Sequence, residues 1–166
     1  AALPAARPRA LAMPEPAQGE DAEVVGIPLD GPGLHVVEIE SRLLGTALLD
    51  PPGPMFVAAA ALVTNLAVHF KWAREGSLVW VTTLDRATPV AGAAIQIADC
   101  TGAVLAEAKT DAQGIARIAS LPGDRETKSC NSSEYGWTDY GEGLLVLARL
   151  GDDLGLAHSS WSEGIE

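Results

Sequence analysis

The chain has only two cysteines, half as many basic residues as acidic ones, and no apolar run of membrane-spanning length. Each shortage excludes something. Eleven Lys and Arg against 22 Asp and Glu leave a formal charge of −11 at pH 7. Such a field repels phosphate backbones and anionic lipid surfaces, which argues against nucleic acid as a partner. The longest apolar stretch, Met55 to Phe70, is 16 residues long and is interrupted by Thr64, Asn65 and His69. A spanning helix needs about 20 largely apolar residues, so no direct membrane insertion is expected. No segment joins a charged start, an apolar centre and a small-residue cleavage site. The chain opens on Ala1-Ala-Leu-Pro without Met, which reads as a piece of something longer.

Cys100 and Cys130 stand 30 residues apart with no C-x-x-C pair and no neighbouring histidines, which argues against zinc. They are either two buried thiols or one disulfide. The polar surroundings of Cys130, where a free thiol would be exposed, favour the disulfide. A disulfide also implies a compartment outside the cytosol.

Chemistry-bearing constellations are equally scarce. His35, His69 and His158 fall in separate apolar segments without a second ligand at metal spacing. Ser159, Ser160 and Ser162 follow His158, but no G-x-S-x-G elbow frames them. Asp152 and Asp153 lack the alternating oxygen ligands of a calcium loop and read as a hairpin turn. Asp111-Ala-Gln-Gly114 is a turn by composition, since Asp bonds its own backbone and Gly accepts a positive φ. Asn131-Ser-Ser matches a glycosylation acceptor, a tripeptide common by chance. No catalytic residue, metal or cofactor is expected.

What the chain does contain is strand patterning. Residues 1–22, with Pro4, Pro8, Pro14 and Pro16, read as a linker or extended segment. Glu23-Val-Val-Gly-Ile27 is a short strand candidate, and Leu34 to Ser41 alternates Val37 and Ile39 against Glu38 and Glu40. Met55 to Val63 is ambiguous. Its four alanines favour helix, while its shortness and flanking Pro-Gly cluster favour a buried strand, the reading preferred here. From Asn65 to Ile118 short β-branched runs recur between turns such as Asp99-Cys-Thr-Gly102, and Leu144 to Leu150 reads as a central strand. Turns every 8 to 12 residues indicate an all-β antiparallel sandwich. Leu121 to Gly143 is a long polar connection carrying Tyr135, Trp137 and Tyr140. Those aromatics suit an interaction loop, or else Trp137 folds back to cap one end of the sandwich.

The run Leu62-Val-Thr-Asn-Leu-Ala-Val-His-Phe-Lys-Trp72, then Ser77-Leu-Val-Trp-Val-Thr-Thr-Leu84 and Pro89-Val-Ala-Gly-Ala93, resembles the bacterial α2-macroglobulin family. Thr110-Asp-Ala-Gln-Gly-Ile-Ala116 and the closing His158-Ser-Ser-Trp-Ser-Glu-Gly-Ile-Glu166 are similar to the same family, just before its next macroglobulin domain. The resemblance implies an Ig- or fibronectin-like macroglobulin sandwich within a large periplasmic or membrane-anchored protease trap. Residues 23–63 would end a preceding macroglobulin-like domain, 64–160 would form a complete one, and 161–166 would begin the linker to the next. Many members capture proteases through a Cys–Gln thioester. Here Ala103 and Ser133 stand where Gln would follow Cys100 and Cys130, and no bait segment is identifiable.

The expected role is therefore a non-enzymatic framework module of a broad-range protease inhibitor. Its partners would be neighbouring macroglobulin domains, and proteases through the full-length parent. The alternatives are an extracytoplasmic adhesin or ligand-binding sandwich using Tyr135, Trp137 and Tyr140, or an accessory module of a secreted enzyme.

Overall fold

The computed structural model describes residues 9–14, 24–73, 75–123, 126–128, 130 and 143–161. The chain divides into two units, Ala1–Asp30 and Gly31–Glu166. In the first, the described residues form no helix or strand, and Arg9 lies 3.4 Å from Asp30. The strand expected at residues 23–27 is absent over its described part, 24–27. Val24 is 99% exposed while Val25 and Ile27 are partly buried, and among the described residues the run has no second strand to pair with.

The second unit opens with a long antiparallel ribbon. Strand β1 (Gly33–Ser41) pairs along its whole length with β2 (Met55–Val63), from Gly33 opposite Val63 to Ser41 opposite Met55. The alanines of β2 are strand because nine consecutive partners override a helical preference of a few tenths of a kcal/mol per residue. The face expected to be half-buried is only partly so, since Val37 is partly shielded while Ile39 remains 41% exposed.

Between the two strands sits an unanticipated helix, α1 (Arg42–Leu48). Ser41 caps it, its hydroxyl accepting from the Leu44 amide at 3.2 Å. Gly45 is buried against the returning chain, and a Cβ there would strike the carbonyl oxygen of Gly53. At seven residues the helix is too short for its periodicity to stand out in the sequence.

Seven further strands make the sandwich. They are β3 (Leu66–Lys71), β4 (Ser77–Thr83), β5 (Ala94–Ala98), β6 (Val104–Lys109), β7 (Ile115–Ile118), β8 (Leu145–Leu150) and β9 (Asp153–His158). One sheet has the order β3-β4-β7 and the other β6-β5-β8-β9, with every pairing antiparallel. Alternation along each strand decides what is buried. Val79 and Val81 of β4, Ile95 and Ile97 of β5, Ala116 and Ile118 of β7, and Val146 and Ala148 of β8 form the core. Each fully buried Val or Ile contributes roughly 1.5–3 kcal/mol. As expected from its apolar run, β8 is an interior strand, between β5 and β9.

The turns follow their residue chemistry. Asp111 Oδ1 accepts from the amides of Gln113 and Ile115, both at 2.9 Å. Gly114 takes φ +73° with its Cα against the Val81 carbonyl, a position open only to glycine. Thr110, 5% exposed, donates to Val90 O at 2.6 Å and accepts from Ala93 N at 2.9 Å, joining the start of β5 to the end of β6.

Candidate functional site

The structure distributes the sequence's candidate residues rather than gathering them. His35 is on β1, where its Nε2 donates to Gly31 O at 3.1 Å. His69 is on β3 and stacks against cross-strand Trp80, with ring centroids 5.2 Å apart. His158 ends β9, its Nδ1 2.7 Å from the Ser160 hydroxyl, and burial pushes its pKa down. Ser159 turns the other way, its hydroxyl accepting from Leu144 N at 2.9 Å. Its role is to hold the start of β8 to the end of β9. Among the described residues no group of three or more His, Cys, Asp or Glu could hold a metal ion. No helix there is long and apolar enough to cross a membrane.

Among the described residues polar constellations form at two joints. The first surrounds the cysteines. Cys100, in the turn between β5 and β6, is disulfide-bonded to Cys130, with Cα atoms 5.9 Å apart. Beside it, Asp99 Oδ1 accepts from Thr101 N at 2.9 Å, Thr101 Oγ1 at 2.6 Å and Ala103 N at 3.1 Å. Its second oxygen lies 4.0 Å from the Lys128 ammonium. The Thr101 hydroxyl, with help from these amides and from Lys128, holds the Asp99 carboxyl below the usual carboxylate range. The disulfide and the Lys128 contact therefore fasten the same connection to the same turn.

The second joint lies where the ribbon enters the sandwich. Asp153, at the β8–β9 turn, accepts from Thr64 Oγ1 at 2.6 Å through one oxygen and from Asn65 N at 2.9 Å through the other. Asn65 also exchanges side-chain hydrogen bonds with Asp85, giving Nδ2–H to Oδ1 at 3.2 Å and taking the Asp85 amide at 3.1 Å. The Thr83 hydroxyl and the Asn65 amide lower the Asp85 pKa. Read locally, Thr64 and Asn65 only interrupt an apolar run, and Asp153 is only a turn residue. Their partnership spans 89 positions and leaves no local signal.

Tyr135, Trp137, Tyr140 and the Asn131-Ser-Ser tripeptide lie outside the described residues. Trp72, by contrast, donates from Nε1 to Pro122 O at 3.1 Å, pinning the start of the connection that carries those aromatics.

Against this fold, residues 63–166 match the bacterial alpha-2-macroglobulin MG3 domain. The chain belongs to that family. Two crystal structures of native alpha-2-macroglobulin from Escherichia coli are similar as well, one spanning domains NIE-MG1 and the other MG0-NIE-MG1. Each is 17% identical with a TM-score of 0.46 over 61% of this chain. The chain covers 40% of the first and 27% of the second, well under half of either. A comparison with curated proteins finds no match. The polar clusters of the chain satisfy backbone groups and tie strand ends together.

Proposed function

We propose that the chain is a framework module of a bacterial α2-macroglobulin-like broad-range protease inhibitor, positioning neighbouring macroglobulin domains without catalysis of its own. The family match over residues 63–166 carries this reading. Residues 64–160 would be one macroglobulin domain and 161–166 the start of the connection to the next. Residues 23–63 would close a preceding domain, with 1–22 as linker. The ribbon supports that division, because a two-stranded sheet is marginal by itself and its apolar side chains Val36, Phe56 and Val57 are 69%, 52% and 54% exposed. The disulfide supports a periplasmic or extracellular location.

The module would contribute geometry rather than capture chemistry. Neither cysteine is followed by Gln at the third position, and each is bonded to the other. The 166-residue chain is accordingly expected to leave a panel of proteases uninhibited. In a longer protein carrying it, Val146→Asp, which places a charge at a fully buried core position, is expected to abolish protease trapping. Inhibition by the chain alone, or undiminished trapping by the Val146→Asp protein, would overturn the proposal.

A further inference from the structure

Between the end of β2 at Val63 and the start of β3 at Leu66 the chain has only Thr64 and Asn65. This link joins the ribbon to the sandwich. Each of its residues can turn only about φ and ψ. Short polar links ordinarily leave the units they join free to move, and hinges are built from a few such residues. Here that freedom is taken up. Both backbone groups and both side-chain polar atoms of Asn65 are engaged. Its N–H donates to Asp153 Oδ2 at 2.9 Å, and its carbonyl accepts from Leu84 N at 2.8 Å. Its Nδ2 donates to Asp85 Oδ1 at 3.2 Å, and its Oδ1 accepts from Asp85 N at 3.1 Å. Thr64 Oγ1 donates to Asp153 Oδ1 at 2.6 Å and accepts from Leu66 N at 2.9 Å.

Two features set this grip apart from the ordinary pairing of polar groups. Asn65 is exposed, so water would serve its donors and acceptors equally well. Its protein partners therefore fix a conformation rather than rescue buried groups. Those partners also come from both sheets of the sandwich. Leu84 and Asp85 follow β4 in one, and Asp153 opens β9 in the other. A turn of the link about either residue pulls it away from at least one of them.

We infer that Thr64 and Asn65 are a locked hinge, gripped by Asp153 and Asp85, which sets the angle between the ribbon and the sandwich. This rests on the reading above for its wider consequence. If residues 23–63 close a preceding domain, the same lock sets the angle between that domain and MG3. A movement of one is then passed to the other as a rigid turn instead of being absorbed in the link. The competing restraint is packing, because β1 also lies against β9.

Spin labels at Glu38→Cys in β1 and Lys109→Cys in β6, both exposed positions, report the distance from ribbon to sandwich by double electron–electron resonance. Cys100 and Cys130 are bonded to each other and take no label. The otherwise unaltered chain is expected to give one narrow distance distribution. Asn65→Ala with Asp153→Ala removes the grip from both sheets and is expected to broaden that distribution and shift its mean. Ile97→Val, a core change that leaves the link untouched, controls for lost stability and is expected to keep it narrow. A broad distribution in the unaltered chain overturns the inference. So does a narrow one that survives the double substitution, because packing of β1 on β9 then sets the angle. Equal broadening by Ile97→Val overturns it too, since general loosening then explains the effect. These distances are read without any protease. Undiminished trapping by the Val146→Asp protein would therefore overturn the framework reading and leave the lock standing.

Discussion

Gly155 of β9 faces Leu66 of β3 so closely that a Cβ on the glycine would sit 2.9 Å from Leu66 Cβ and 2.9 Å from Val68 Cγ2. The two strands belong to different sheets, so this contact is where the sandwich is drawn shut along one side. The joint of Asp153 with Thr64 and Asn65 lies at the head of the same two strands. Close approach and hydrogen bonds thus act together on one seam.

Gly155→Ala is therefore expected to destabilise the fold by about 1–3 kcal/mol, the usual cost of forcing an extra methyl into a packed interior. Chemical denaturation measures it. Gly53→Ala, where the nearest atom would be Pro51 O at an ordinary 4.0 Å, serves as the control and is expected to change little.

Thr110→Val keeps the shape of the side chain but removes the hydroxyl that serves Val90 O and Ala93 N. Two buried backbone groups then lose their partner, at about 1–3 kcal/mol for each group left unsatisfied. Thr110→Ser retains the hydroxyl and is expected to lose much less. Equal losses in the two variants would show that the methyl, not the hydrogen bonds, matters at this site.

The Cys100–Cys130 bond closes a loop of 30 residues. Loop-closure entropy assigns it roughly 3–4 kcal/mol. Urea unfolding with and without reductant is expected to show a loss of up to that size, and native alkylation without reductant to label neither cysteine. Labelling of both under those conditions would contradict the pairing.

Acid acts with the same sign on His158, Asp99 and Asp85, the histidine at higher pH than the two carboxylates. Burial lowers the His158 pKa, so its neutral form is favoured in the fold. Its contribution is full above the unfolded value of about 6.5 and is lost as pH falls towards the lower folded value. Asp99 is held low by the Thr101 hydroxyl, so its contribution is full above about pH 4 and disappears below it. Melting temperatures between pH 8 and pH 3 are expected to decline in two stages. His158→Asn should flatten the upper stage, and Asp99→Asn combined with Asp85→Asn the lower.

Much of the sandwich was legible because its signals are local. Ile95 and Ile97 alternate with Gln96, Asp111 and Gly114 mark a turn by their own chemistry, and the apolar run Leu144–Ala148 places Leu144, Val146 and Ala148 in the core. The helix at Arg42–Leu48 escaped notice since it is a single capped segment wedged between two strands, held by the Gly45–Gly53 approach. The segment at residues 24–27 looked like a strand by composition but has no ladder to join.

By itself, then, the order of residues determined the sandwich class, the turn positions, the alternation that selects the core and the family likeness. Each depends on spacings of a few residues, the range over which backbone geometry and side-chain period act. Only the tertiary structure decided that Asp153 would clasp Thr64 and Asn65 and that Gly155 must be glycine. Those outcomes arise between residues brought together from far along the chain, and a one-dimensional pattern carries no record of which surfaces will meet.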